Sequence, residues 1–375
     1  MRKSFKYRLF PTKAQVTLLE QTLDACRFVY NQSLAHEKSV YETEKRYANA
    51  IELRNLLPLW KEQHPFLDVA HPQLLQEAQG RVDLAYKAFF RRVKAGETPG
   101  YPRFRGKDRY DSFTYPQSGF KIVDDKLRLS KIGDVSINLH RPVEGTVKTL
   151  TIIRNSLGKF YACFSCVVEP KLLPHLDNSV GIDMGLQHFM YLSDRSHVKN
   201  PRFFKQDKDD LARAQRALSK QEKGTKARFK KRRVVQHIYE RTKNRRTNFA
   251  HQISRDIVNR YGIICVEDLN VKGLLEKFDR SNSVAIHRSI ADAAWAQSLG
   301  FIAYKAEEAG RINPKVNARG TSQECSGCGK IVQKTLETRT HHCPYCGLKI
   351  PRDFNSSIII ERRGLASLGA PCGAS

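Results

Sequence analysis

Apolar and polar positions alternate near the start of the chain: Phe5, Tyr7 and Leu9 against Lys6 and Arg8 over residues 4–10. A period of two predicts a strand. Thr12 and Gln15 then form a T-x-x-Q capping box, and Val16, Leu19, Leu23 and Cys26 follow at helical spacing, so a helix follows. Residues 50–95 also read as helical, ending in LAYKAFFRRVK. GETPGYPRFRGKDRYDSF reads as a basic, aromatic loop. Short alternating strands come next in LRLSKIGDVSINLH, then in TLTIIRNSLGKFYACFSCVVEP, which reads as a hairpin turning near Ser156–Lys159. Residues 1–170 are thus expected to form a small β-domain with a helical insertion at about 15–100, and 171–178 a linker.

In SVGIDMGLQHFMYLSD, Val180–Ile182 and Phe189–Leu192 read as neighbouring strands. Residues 207–260 read as helical, RYGIICVEDLN as a buried strand and SIADAAWAQSLGFIAYKAEEAG as an amphipathic helix. A helix opened by Asp353 follows, and the tail from Gly364 to 375 is expected to be loose. Nothing in the chain repeats. No run of about 18 apolar residues predicts a membrane span, and MRKSFKYRLFPTK has no apolar stretch of the kind a secretory signal needs.

Charge changes the picture most. Lys plus Arg number 65 against 38 Asp plus Glu, a net +27. Such an excess repels itself unless a polyanion is present, which favours nucleic acid over a membrane surface. The excess peaks in the helical segment: Arg213 to Arg246 holds fourteen Lys and Arg against two Glu. Acids that scarce cannot be there for pairing along a helix. Lys226, Arg228, Lys230, Lys231, Arg232, Arg233, Arg245 and Arg246 are the candidates for phosphate contact.

Nine cysteines are present. Cys325-x-x-Cys328 and Cys343-x-x-Cys346, fourteen residues apart, each end in a glycine turn. Four thiolates so spaced suit a tetrahedral structural Zn²⁺. Cys163-x-x-Cys166 lies in an alternating strand, where residues three apart face opposite sides, and reads as packing.

Three acids remain. Asp183 interrupts an apolar strand, Glu267 ends another, and Asp353 opens the last helix. Asp268 faces away from its neighbour Glu267, so only one of the two can share a site. Singly, Asp183 could pair with a cation side chain and Asp353 could be a plain helix cap. Together they would repel unless a hard cation neutralised them, and two Mg²⁺ ions about 3.5–4 Å apart cleave phosphodiesters in such sites. An acid in mid-strand, one at a later strand end and one on a C-terminal helix is the layout of an α/β RNase H-like nuclease.

At this point GIDMGLQHFMYLSD, VEDLNVKGL, TSQECSGCG and CPYCGLKIPRDFN resemble the RuvC-type core and zinc ribbon of the TnpB family, transposon-encoded RNA-guided DNA endonucleases related to type V CRISPR effectors. FKYRLFPTKAQ, CRFVYN and YPRFRGKDRYDSF resemble the family's N-terminal portion, so the likeness runs in order over nearly the whole chain. It implies a RuvC-like nuclease domain at 179–320 and 350–363, a zinc ribbon inserted at 321–349, and an N-terminal α+β lobe with a β-barrel wedge. It implies that Asp183, Glu267 and Asp353 hold two Mg²⁺ (or Mn²⁺) ions, and that Cys325, Cys328, Cys343 and Cys346 hold zinc. It further implies a guide RNA derived from the transposon end, double-stranded target DNA, a monomer in the complex and a prokaryotic cytoplasm. Gln73, Gln76, Thr114 and Tyr115 match the positions that read a target-adjacent motif, and Gln and Thr can bond or touch base edges. Two stretches depart from the pattern. Pro351 stands where the family's D-R-D-x-N-A-A has its first Asp, and NPKVNARGTSQ replaces a shorter form. Two further readings stay open: an RNA-guided repressor without cleavage, and a structure-specific nuclease or transposition protein on the same fold.

Overall fold

The computed structural model describes residues 1–270, 292–335 and 338–369. The chain divides into two compact units, Met1–Glu169 and Pro170–Ser375.

The first unit begins with β1 (Arg2–Phe10), α1 (Lys13–Glu44), α2 (Ala50–Gln63) and α3 (Pro72–Lys94). The strands β2 (Ser112–Tyr115), β3 (Phe120–Val123), β4 (Lys126–Leu129), β5 (Gly133–Asn138), β6 (Thr146–Arg154) and β7 (Phe160–Val167) follow. All seven join one sheet in the order β2-β6-β7-β1-β5-β4-β3, every pairing antiparallel. Alternation sets the inward face: Phe5, Tyr7 and Leu9 of β1 are buried, and Phe5 stands opposite Phe164. The sheet curls until it nearly closes. The edge-strand rings of Tyr115 and Phe120 lie 6.1 Å apart, and the Tyr115 hydroxyl donates to the Ser130 carbonyl at 3.2 Å. The Thr12–Gln15 capping box forms in both directions, and Leu19, Leu23 and Cys26 pack in one core with Leu75, Ala78 and Val82 of α3. Residues 50–95 are not one continuous helix. A 3-10 turn over Pro65–Val69 separates α2 from α3. Pro65 disfavours helix at His64, and Pro72 restarts it at the first helical position, where its missing N–H costs nothing.

The second unit opens with β8 (Ser179–Met184), β9 (His188–Leu192) and β10 (His197–Lys199), then α4 (Phe203–Gln206), α5 (Lys208–Ser219) and α6 (Lys226–Arg260). It continues with β11 (Ile263–Glu267), α7 (Trp295–Ala309), β12 (Lys315–Val316), the hairpin β13 (Thr340–His342) and β14 (Lys349–Pro351), and α8 (Arg352–Ser367). The sheet order is β10-β9-β8-β11-β12. β9 runs antiparallel to β8 and β10, while β8, β11 and β12 run parallel.

Alternation divides the helices between the two sheet faces. Ile182, Ile264 and Val266 pack with Ile257 of α6 and Ile302 and Ala306 of α7. Cys265 and Ile263, on the opposite face, pack with Ile360 of α8. Gly181, in register with Cys265, lets α8 lie backbone against backbone on β8: a Cβ there would overlap the Ser357 carbonyl. Gly364 plays the same part farther along, where a Cβ would overlap the Cys265 sulfur. The expected loose tail is thereby corrected: α8 runs through Gly364 to Ser367, because that glycine is buried against the sheet. Residues 289–291 of the expected amphipathic helix and 370–375 of the tail lie outside the described residues.

Candidate metal centre and nucleic-acid interface

Odd-numbered residues of β8 and β11 face α8. Asp183 and Glu267 therefore share that face, and the pairing of Ile182 with Val266 sets them side by side. Asp353 lies in the first turn of α8, one residue inside it; Pro351 is the N-cap, and no side chain caps this end. The plain-cap reading of Asp353 thus fails. A Cβ at Gly185, just beyond β8, would sit 3.7 Å from Asp353 Oδ2, which puts the third acid over the end of the strand that carries the first.

Asp183 feels the charges of the other two. Burial pushes the Asp183 carboxyl well above the ordinary carboxylate range, and the negative charges of Glu267 and Asp353 push it further, with Arg352 opposing. Among the described residues the Asp183 carboxylate has no hydrogen-bond partner. Glu267 is buried at 7% exposure and is raised by burial, against a hydrogen bond from Thr321 Oγ1 to its Oε1 at 2.6 Å and the charge of Arg363. Arg352 donates to Asp353 Oδ1 at 3.2 Å. Asp268 points away and is exposed, with Lys315 at 4.0 Å. An oxygen-only set of carboxylates, two of them raised by burial and Asp183 raised further by its neighbours, suits a hard divalent cation. Among the described residues only the cysteine set has ligand atoms all within 4.8 Å of one another.

That cysteine set is Cys325, Cys328, Cys343 and Cys346. Cys325 and Cys343 are buried, Cys328 and Cys346 exposed. The two knuckles repeat one hydrogen-bond pattern. Gly329 N–H donates to Cys325 O and Gly347 N–H to Cys343 O, while Cys325 N–H reaches Lys330 O and Cys343 N–H reaches Leu348 O. Gly329 and Gly347 take φ of 73° and 75°, which glycine adopts without strain. For Cys343, burial is outweighed by the amides of Cys346 and Tyr345 and by the neighbouring thiols, and its thiol falls to about 6. The donor set fits a tetrahedral zinc with no position left open.

The knuckle is fastened to the acid-bearing helix by residues that the sequence reading did not single out for this task. Asn355, fully buried in α8, accepts from Ser326 N–H at 2.9 Å and donates to Glu324 O at 2.7 Å. Arg362 donates to Ser326 O at 2.8 Å, and Arg363 pairs with Glu324 at 2.6 Å. An asparagine inside an apolar helix, where it is a poor helix former, was the available signal.

The eight basic candidates separate into groups. Lys226, Lys230, Lys231, Arg232 and Arg233 are exposed along α6. Arg228 instead donates to Leu218 O and Gln221 O, closing the end of α5. Arg245 is paired with the buried Asp207 and lies over the Phe203 ring, and Arg246 lines a small cleft with Asp292. Of the four motif-reading candidates, Gln76 is exposed. Gln73 accepts from Ser118, and Thr114 bonds Thr151 and Arg81. Tyr115 is fully buried inside the barrel, since β2 alternation turns Phe113 and Tyr115 inward.

Comparison with known proteins identifies the family. Residues 165–277 match the family model described as "Probable transposase" (OrfB of IS605), 295–360 match "Cas12f1-like, TNB domain", and 1–46 match "Helix-turn-helix domain". In this structure residues 1–46 form β1 and the single helix α1. A protein of Streptomyces pristinaespiralis named "Putative RNA-guided DNA endonuclease" is 30% identical, covering 100% of this chain and 91% of its own. Another so named, InsQ of Escherichia coli K12, is 29% identical over 99% of this chain and 94% of its own. The solved structure of a "mini-RNA-guided endonuclease", CRISPR-Cas_phi3, aligns at a TM-score of 0.42 and 12% identity over 100% of this chain and 94% of that one. The chain belongs to the TnpB (IS605 OrfB) transposase family.

Proposed function

We propose that this chain is an RNA-guided, metal-dependent DNA endonuclease of a transposable element, cutting double-stranded DNA beside a short adjacent motif. The observation that carries the reading is that Asp183 and Glu267 lie side by side on the sheet face beneath α8, with Asp353 in the first turn of α8 against them. The 3-2-1-4-5 strand order, with one antiparallel strand on each side of the second, is that of RNase H-like and RuvC nucleases. Divalent ions bound there supply an activated water and stabilise the leaving oxygen. The protein's part is to hold the three carboxylates: Asp183 and Glu267 by strand register, Asp353 by the Gly181 contact and by the knuckle. Residues 179–320 and 350–363 then form the RuvC-like domain, 321–349 the zinc ribbon and 1–170 the wedge with its helical insertion. The exposed cations of α6 suit phosphates of a guide RNA from the transposon end, whose pairing would read the target while protein reads the adjacent motif. Gln73, Gln76 and Thr114 are the proposed motif readers, and one acid set per chain suits a monomer acting in a prokaryotic cytoplasm.

The test is to purify the protein expressed with its native flanking DNA, sequence the bound RNA, and challenge matched plasmids carrying randomised flanks. Cutting is expected to need the RNA and Mg²⁺, and to vanish in Asp183→Ala or EDTA. Matched DNA bound but uncut would mean a guided repressor. Absence of co-purifying RNA would leave a structure-specific nuclease.

A further inference from the structure

The first unit contains a cavity that none of this chemistry uses. It has a volume of about 380 Å³ and lies between the end of α1, the loop from α1 to α2, the second half of α3 and the loop after α3. Its walls are aromatic: Tyr47, Tyr86, Phe89, Phe90 and Tyr101. Phe90 and Tyr101 are 53% and 44% exposed, so ring surface is open to a ligand. At its floor is Glu37, 2% exposed. Glu37 Oε2 accepts from the Ala48 amide at 3.1 Å, while Oε1 is buried without any partner. A buried carboxylate oxygen left unbonded is expensive, and it points to a donor that arrives with a ligand.

Three features define that ligand. Aromatic walls want a flat face. The orphan oxygen wants an N–H edge. The rim carries cations: Lys45, over the Tyr41 ring, and Arg46, which Glu44 and Glu52 hold, with Lys38 beside the rim over the Tyr101 and Phe104 rings. An aromatic cage with an acid could also hold a quaternary ammonium, but a cationic rim repels one and attracts a phosphate. A nucleotide has all three complementary parts, and among the bases guanine alone offers two adjacent donors, N1–H and the N2 amine. We propose that this cavity captures an unstacked guanine of single-stranded RNA, its donor edge on Glu37, its face on the aromatic rings and its phosphates on the rim lysines. This rests on the RNA-binding reading above and adds a base-specific protein contact to it.

The test measures the binding of labelled oligouridylates by the full-length protein, each carrying one central guanosine, adenosine or inosine. Wild type is expected to prefer guanosine by about tenfold, the worth of one hydrogen bond, with inosine losing the gain because it lacks the N2 amine. In Glu37→Gln the Ala48 amide claims the new side-chain oxygen, so the NH₂ faces the cavity and the preference should vanish while plain oligouridylate binds as before. Tyr101→Leu, at an exposed position, should weaken guanosine binding alone. Thermal melting confirms that each variant is folded. Equal binding of all oligomers by wild type overturns the guanine site and leaves the RNA-binding reading standing, as does a preference that survives Glu37→Gln. Failure to bind any oligomer, or GMP, overturns both.

Discussion

Replacing Asn355 tests how the third acid is positioned. Asn355 makes two hydrogen bonds in a site with no solvent, to Ser326 N–H and Glu324 O. Asn355→Leu keeps the approximate volume and removes both. Each orphaned backbone group costs about 1–3 kcal/mol, so a loss of about 3 kcal/mol is expected. For a unit of roughly this size about 1 kcal/mol moves the melting point by about 2–4 °C, which gives a fall of about 6–12 °C if the unit melts as one. The loss should have a second signature. The first knuckle is fastened to α8 through this residue, so zinc release to a chromogenic chelator should speed up. DNA cleavage should slow even at temperatures where the variant is fully folded, because Asp353 sits two residues away on the same helical turn. Asn355→Asp keeps the acceptor for Ser326 but sets a carboxylate against the Glu324 carbonyl, and should be at least as harmful. Unchanged melting and zinc release in Asn355→Leu would refute the fastening; lowered stability with full cleavage in the folded variant would refute its tie to Asp353.

Other outcomes follow from separate features. Burial, then the charges of Asp83 and Glu52, raise the Glu37 carboxyl from 4.5 to about 7, against the Ala48 amide and Arg46. Its contribution to stability is therefore full at low pH and lost as pH rises from about 4.5 through 7, so Glu37→Gln should melt higher than wild type at pH 8 and show a shrinking advantage toward pH 5. Arg245→Ala should destabilise the protein, because Asp207 is buried and loses one of its two arginines, with little change in RNA affinity under folded conditions. Replacing Lys230, Lys231, Arg232 and Arg233 together by Ala should do the reverse, keeping the melting point and flattening the logarithmic salt dependence of RNA binding by up to about 3. Gly181→Val should cost at least about 3 kcal/mol in denaturant unfolding, since its side chain meets the α8 backbone.

Some of this was legible in the residues. The Thr12–Gln15 box, the hairpin of β6 and β7, the pairing of β8 with β9 and the cysteine quartet all depend on local spacing, and the structure has them. The face shared by Asp183 and Glu267 was half legible: alternation separates Glu267 from Asp268, but only strand register sets Glu267 beside Asp183. Long-range partners were hidden. Arg228 and Arg245 look like their exposed neighbours in a basic run, and only the fold reveals the carbonyls and the buried Asp207 that hold them. Thr114 and Tyr115 read as positions facing a base, and the fold gives the hydroxyl of each a partner: Thr151 on the neighbouring strand for Thr114, and the Ser130 carbonyl across the barrel closure for Tyr115. The Glu37 cavity was invisible for the same reason, since its walls come from residues spread over two helices and two loops.

The Gly181 contact has a consequence for how this site tolerates change. Where helix and strand meet through side chains, every swap of one methyl group resets their spacing. Here the spacing is the closest approach of two main chains, which no neighbouring side chain sets. Ile182, Val266 and Ile360 can then drift in size and the penalty falls on stability alone, while the reach from Asp353 to Asp183 stays the same. A library of core variants around an unaltered Gly181 would lose melting temperature gradually and keep a constant cleavage rate until it unfolds. The nuclease geometry is thus insulated from the packing that supports it, and one hydrogen atom in place of a side chain provides the insulation.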